Sequence, residues 1–299
     1  MRIATSQFQA TMTRSLSLNQ DALASLTARM ASGNKIQVPS DDPVTSVRLS
    51  RLDREEAIVG QYRDNIAAIK IRLASNETYM QSMVNDITQS HDLLVWASDA
   101  SNTPDDLKSM VTSMTSLRDS LFYSANQKDQ EGRYIFSGTL TDTPAIKFDE
   151  NGDPRYTFEG NTNEQKSVVG NGITQTVNVD VKGLEDLLNM MDRTINALSN
   201  QGAPGIDLQA TLKENMEGAM ATLDLMAGKI ASFGGAQNVM ATLDGNHASV
   251  SLSNKTAIID LGSLDMAEAA TELSGYNNAL QASYKAYAKI SNLSLFNVL

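Results

Sequence analysis

Residues 264–299 read LDMAEAATELSGYNNALQASYKAYAKISNLSLFNVL, and the spacing of their apolar positions sets the architecture of the chain. Met266, Leu273, Leu280 and Tyr287 recur every seven residues, and Ala269, Tyr276 and Ile290 fall three residues further on. Two apolar lines offset in this way make the seam of a coiled coil. Ala267, Glu268, Asn277, Asn278, Gln281, Lys285 and Lys289 occupy the other faces, and no proline interrupts the run. The spacing predicts one helix with an apolar stripe.

A lone amphipathic helix cannot bury its stripe, because helical stability in water comes mainly from packing against something else. A matching stripe stands at the other end of the chain, where Met12, Leu16, Leu23, Leu26 and Met30 are spaced 4, 7, 3 and 4 apart. The two ends are therefore expected to meet as an antiparallel or bundled helical pair, with the intervening chain an excursion from it. An ordinary bundle core would carry the same stripes, so periodicity leaves both arrangements open. The predicted fold class is mainly α: long antiparallel coiled-coil rods formed by both chain ends, with a small β-rich inserted domain.

Composition narrows the function. A formal net charge of -11 argues against a surface for phosphate backbones, which needs clustered Lys and Arg, so nucleic acid is not an expected partner. With no cysteine, disulfides, thiolate metal sites and thiol catalysis are excluded. Fourteen methionines against 5% aromatic residues suit long helices packed through adaptable side chains. No apolar run approaches the roughly 18 residues of a membrane span, so no membrane association is expected. Met1 to Gln7 lacks the apolar region of a cleavable signal peptide, which calls for another route if the protein leaves the cell.

The first helix should end at Ser32-Gly33-Asn34, where Gly33 can take the left-handed cap conformation. Pro39 biases Val38 toward extended backbone, and Ser40, Asp41 and Asp42 supply capping side chains ahead of Pro43, a residue suited to a first helical turn. A carboxylate pair for metal or acid/base work is the other reading of Asp41 and Asp42, but no further ligand types cluster there. The next helix has the cleanest pattern in the chain: Leu52, Val59, Ile66, Leu73, Met80, Ile87 and Leu94 at strict intervals of seven. Glu55, Tyr62, Ile69, Asn76, Met83, Ser90 and Ala97 form its companion line. From Pro43 to Ser98 this rod would be on the order of 80 Å long. Asn76 inside the seam can fix register or simply face water. Trp96 reads as a packing anchor.

Thr103-Pro104-Asp105-Asp106 starts a returning helix whose stripe is Leu107, Met110, Met114, Leu117 and Leu121. It stops before Glu131 to Gly138, where Gly132 and Gly138 bracket residues that suit a strand or hairpin. From Thr139 to Lys182 the period changes to alternation. Ile146 to Phe148 and Tyr156 to Phe158 flank a turn containing Asn151-Gly152, and Val168-Val169 and Val177 to Val181 are further strand candidates. So small a β unit is expected to lean on its neighbours, and a decorated loop is the other reading of the same stretch. Helical pattern resumes with Leu184, Leu187, Leu188, Met191, Ile195 and Leu198, and again with Leu212, Met216, Ala219, Leu223, Met226, Ile230 and Phe233. Gly234-Gly235 and Gly245 weaken it, and periodicity does not decide between one long helix and two.

The chain carries no sign of catalysis. His91 and His247 each lack a second histidine at i+4, and no nucleophile elbow, phosphate-cradling loop or dinucleotide fingerprint occurs. The carboxylates are scattered as on solvated helix faces. No enzymatic activity, cofactor, metal or catalytic residue is expected.

Four segments together resemble the hook-associated protein 3 family, the hook–filament junction branch of the flagellin superfamily. They are Met1-Arg2-Ile3, Lys35 to Pro43, Gly132-Arg133-Tyr134-Ile135-Phe136-Ser137-Gly138 and the closing Leu293-Ser294-Leu295-Phe296. The resemblance spans nearly the whole chain, and the two internal motifs are specific as a pair. It implies a secreted structural subunit of the bacterial flagellum, exported unfolded through the flagellar type III apparatus without cleavage.

The resemblance also implies an organisation and partners. Residues 1–42 and 256–299 would form an inner tube domain, 43–138 and 183–255 a long rod domain, and 139–182 an outer β-rich domain. Met12, Leu16, Leu23, Leu26, Met30, Met266, Leu273, Tyr276, Leu280, Tyr287 and Ile290 would form the tube seam. The turn Pro39, Ser40, Asp41, Asp42 and Pro43 would join the layers, and Gly132, Tyr134, Phe136, Ser137 and Gly138 are the family turn motif. Implied partners are hook-associated protein 1, flagellin, copies of the same chain in a ring and a cytoplasmic export chaperone at the C-terminal region. A flagellin-type filament subunit and an unrelated coiled-coil adaptor are the alternatives.

Overall fold

The computed structural model describes residues 2–201 and 203–291. Among the described residues there are six helices, α1 (Arg2–Ser32), α2 (Pro43–Ala97), α3 (Pro104–Ala125), α4 (Leu184–Ser199), α5 (Leu208–Gly262) and α6 (Met266–Ser291), and, between α3 and α4 in the sequence, four short strands, β1 (Ile146–Phe148), β2 (Tyr156–Phe158), β3 (Lys166–Gly170) and β4 (Ile173–Thr176). The protein is mainly α with a small β insertion. The chain divides into two compact units, residues 1–59 with 249–299 and residues 60–248, so α2 and α5 each contribute to both. Among the described residues no helix is long and apolar enough to cross a membrane.

In the 60–248 unit the core is the seam of α2. Ile66, Leu73, Met80, Ile87 and Leu94 are buried, as are the companion positions Ile69, Asn76, Met83, Ser90 and Ala97. They pack with Met110, Met114 and Leu121 of α3, Leu184, Leu187, Leu188 and Met191 of α4, and Leu212, Ala219, Met226, Phe233 and Met240 of α5. Polar contacts stitch neighbouring helices: Ser120 Oγ donates to Asp86 at 2.7 Å, Asn215 Nδ2 to Thr194 Oγ1 at 2.9 Å, and Arg63 Nε to Asp244 at 2.9 Å. α3 starts as expected, on a capping box between Thr103 and Asp106 with Pro104 in its first turn. α5 is one continuous helix through Gly234, Gly235 and Gly245, which settles the choice that periodicity left open. Phe233 and Met240, both buried, hold it to the core on either side of the glycine pair.

The β insertion is two antiparallel hairpins, β1–β2 and β3–β4, the first in the register Ile146↔Phe158 and Phe148↔Tyr156. Neither stands alone. Asn126, at the end of α3, accepts from Ile146 N at 3.0 Å and donates to Ile146 O at 2.7 Å, closing the outer edge of β1. The carbonyls of Val168 and Val169 receive Asn65 Nδ2 of α2 and pair with His247 Nε2 of α5, each at 2.8 Å. These bonds give the short strands the partners that two strands cannot provide for themselves.

Three expectations need correction. Residues 177–181 form no strand: β3 returns through Ile173–Thr176, and Val177 N and Asn178 Oδ1 turn instead to the backbone of Gln165. Residues 131–138 hold no strand, but the hairpin half of the expectation stands: the chain turns at Gly132 and pairs back on 127–129 through Asp129 N to Arg133 O at 2.8 Å and Ile135 N to Gln127 O at 3.0 Å. Trp96 is not a packing anchor within the chain, being 62% exposed near the end of α2.

Candidate assembly surface

The terminal unit is built from α1, the turn after it, the first turns of α2, the end of α5, and α6. α1 ends on Gly33 at φ 73, whose N–H bonds back to Arg29 O at 2.8 Å. The left-handed cap lets the chain reverse, and the reversal is tied to the α5–α6 corner. Lys35 N donates to Gly262 O at 2.8 Å, Leu264 N donates to Gly33 O at 2.9 Å, and Asn34 bridges Ser263 antiparallel. Further along, Gln20 Nε2 donates to Tyr284 Oη at 2.8 Å, so α1 and α6 run antiparallel from that tie.

Within the turn, Asp41 Oδ2 accepts from Gln37 N at 3.0 Å and Val38 N at 3.2 Å. Asp42 caps α2, accepting from Thr45 N at 3.0 Å and Thr45 Oγ1 at 2.6 Å. The Gln37 amide holds the Asp41 carboxyl below its ordinary range, and the Thr45 hydroxyl does the same for Asp42. Both carboxylates are engaged in backbone geometry, with Pro39 and Ser40 exposed beside them and Pro43 the first residue of α2. Among the described residues no group of three His, Asp or Glu could hold a metal. Deeper in the unit, Glu56 Oε1 accepts from Ser251 Oγ at 2.6 Å and meets Lys255 Nζ at 3.2 Å.

The residues predicted for the terminal seam divide sharply by burial. Leu26 and Leu280 are buried, and Met12, Leu16, Leu23, Met30, Leu273 and Tyr276 are half-buried. Met266 and Tyr287 are exposed. Met266 continues by spacing the line of Ala269, Leu273, Tyr276 and Leu280 that packs on α1, but it is the first residue of α6 and stays exposed there. The side chain of Ile290 and residues 293–296 lie outside the described residues, as does Met1. The rod seam behaves differently: Val59, Ile66, Leu73, Met80, Ile87 and Leu94 are buried and Leu52 half-buried. Nothing in the heptad spacing distinguishes the satisfied stripe from the unsatisfied one.

Sequence reasoning missed Phe8 and Leu18 on α1, and Val44, Val47, Leu252 and Ile259, all exposed in the terminal unit. They are large and apolar but stand off the seven-residue lines, so seam spacing does not find them. The turn motif of the other unit is a scaffold. Phe136 and Ser137 are buried and Tyr134 half-buried, with its N–H bonded to Thr141 O at 2.8 Å. Gly132 and Gly138 take φ 80 and φ 72, and a Cβ on Gly138 would collide with the Asn161 carbonyl.

Residues 3–141 match the family described as the bacterial flagellin N-terminal helical region. The flagellar hook-associated protein 3 of Escherichia coli K12 is 25% identical, over 100% of this chain and 99% of its own length. A solved structure assigned as a flagellar hook-associated protein from Vibrio parahaemolyticus is 30% identical, at TM-score 0.69, over 75% of this chain and 100% of its own. That of flagellar hook-associated protein 3 from Legionella pneumophila shares the fold at TM-score 0.63 with 13% identity, over 71% of this chain and 99% of its own.

Proposed function

Because the chain belongs to the flagellar hook-associated protein 3 family, a non-enzymatic branch of the flagellin superfamily, we propose that it forms the junction between hook and filament. Membership makes it a structural component of the bacterial flagellum that assembles with other flagellar parts. The finer reading adds hook-associated protein 1 on the hook side, flagellin on the filament side, copies of itself in a ring, and an export chaperone before assembly.

One observation carries this reading. Two stripes of the same heptad kind have different fates: that of α2 is buried from Val59 to Leu94, whereas the α1–α6 stripe buries Leu26 and Leu280 and leaves Met12, Leu16, Leu23, Met30, Leu273 and Tyr276 half open. The α1–α6 pair by itself leaves its stripe half open, and further helices of the same kind complete it. We assign residues 1–42 and 256–299 to an inner tube closed by neighbouring copies, 43–138 and 183–255 to a surrounding rod layer, and 139–182 to an outward domain. The Pro39 to Pro43 turn joins the first two.

The test is a strain lacking the chain, viewed by electron microscopy with flagellin assayed in the medium. Hooks without filaments, immotile cells and secreted flagellin support the junction role. Hooks bearing normal filaments overturn it, and absent filaments with no secreted flagellin point to a filament subunit instead.

A further inference from the structure

Charge is divided unequally along the chain. Of the 24 Lys and Arg and 35 Asp and Glu, residues 1–59 and 249–299 hold ten of each sign, so the whole net charge of -11 resides in residues 60–248. The terminal unit is electrically neutral, yet its charges are sorted into rows. On α2, Val47, Arg51, Arg54 and Ile58 are spaced 4, 3 and 4 apart, all exposed, on the side of the helix away from Leu49, Leu52 and Val59. That is the spacing of a helix-packing seam, and two of its four positions are arginine. Glu55 stands at its edge.

On α6, Glu268, Glu272, Gly275 and Ala279 repeat the same spacing of 4, 3 and 4, and all are exposed. They occupy a flank about a quarter turn from the line Ala269, Leu273, Tyr276 and Leu280 that faces α1. Neither the arginines nor the glutamates enter any ion pair among the described residues. Each row sets like charges three or four residues apart, a weakly unfavourable spacing that Glu55 at i+4 from Arg51 and the dipole at the start of α6 offset only in part.

We propose that these two rows are the two sides of one contact between copies of this chain, the Arg51–Arg54 row of one copy seated against the Glu268–Glu272 flank of the next. The occupant is a second copy because the two rows match in spacing and oppose in sign, and because the small residues Gly275 and Ala279 let a helix bearing Val47 and Ile58 approach closely. Each copy offers one row and receives the other, so the contact is heterologous and extends from copy to copy, as a ring requires. The inference rests on the junction reading above and adds the surface by which neighbouring copies recognise each other.

The test is charge exchange in the full chain, produced in flagellated cells and measured as chain retained on purified hooks against chain lost to the medium. R51E/R54E should fall at least about tenfold in retention, since like charges set across an interface strongly disfavour it. E268R/E272R should fall similarly, and the fourfold variant should recover. All eight row positions are exposed, and circular dichroism of each purified variant confirms that its helices are intact. Retention of R51E/R54E at the level of the unaltered chain, with intact filaments, overturns the contact and leaves the junction role standing. Failure of the fourfold variant to recover, with both pairs folded, also overturns it. An unaltered chain that never associates with hooks removes the junction reading and this contact with it.

Discussion

Asn189 closes the outer edge of β2 by pairing both backbone groups of Tyr156, its Oδ1 accepting from Tyr156 N at 3.0 Å and its Nδ2 donating to Tyr156 O at 2.8 Å. The side-chain amide does the work of a third strand, as Asn126 does for Ile146 on the opposite edge. Asn189→Leu would orphan a buried donor and acceptor and should cost on the order of 2 kcal/mol. Hydrogen exchange should show faster exchange confined to residues 146–158, with the α2 seam unchanged. Uniform loss of protection across the helices would refute a local clamp.

Asn76 sits at a buried seam position of α2, 1% exposed, with its Nδ2 lacking a hydrogen-bond partner. Removing an unsatisfied buried donor returns about 1–3 kcal/mol, so Asn76→Leu should raise the midpoint of chemical unfolding. A single polar seam residue can also fix helix register, and the leucine variant should therefore populate shifted pairings of α2. Cross-linking between cysteines placed at Glu77 and Gln237, whose side chains are 2.8 Å apart, reads that register. A lower unfolding midpoint would show that the amide earns its place through contacts of its own.

The rod was legible because its seam is apolar at nearly every seventh position and burial follows the lettering. Legibility failed where seam positions are polar. On α5 the inward line past Met240 continues through Asp244, His247, Ser251 and Asn254, and the first three of these bond to Arg63, Val169 and Glu56. A periodicity count registers them as gaps, since their contribution is hydrogen bonding rather than apolar area. Residues 177–181 misled in the opposite direction: they alternate like a strand, but Asn178 spends its side chain on Gln165 and Asn163. On the terminal unit the stripe was readable and its degree of closure was not, because spacing records which residues share a face and not how many helices cover it.

The turn before α2 should be acid-sensitive. Asp41 and Asp42 both have carboxyls held below the ordinary value of 3.8 by hydrogen bonds to Gln37 and Thr45 respectively. Around pH 4 the unfolded chain therefore binds more protons than the folded one, so the turn is stabilised above that range and loses the contribution as pH falls through the depressed folded values. Amide shifts of Gln37, Val38 and Thr45 followed by NMR should titrate below pH 4. Asp42→Asn should abolish the Thr45 transition and spare the other two. Titration of Thr45 above pH 4 would contradict the capping geometry.

Stability and assembly should separate between the two stripes. Leu73 is 1% exposed in the rod core, and Leu73→Ala should cost about 2–5 kcal/mol of unfolding free energy through lost burial and the cavity left behind. Leu18 is 61% exposed on α1, so Leu18→Ala should leave the monomer within about 0.5 kcal/mol of the parent. If α1 and α6 are closed by neighbouring copies, Leu18 becomes buried only on assembly, and its truncation should reduce retention on hooks while the purified chain unfolds as before. Chemical unfolding of the monomer and retention in cells measure the two effects independently. A Leu18→Ala chain that is retained normally would place that face of α1 toward solvent in the assembled flagellum, and the tube would then have to close through the half-buried line of Met12, Leu16 and Leu23 alone.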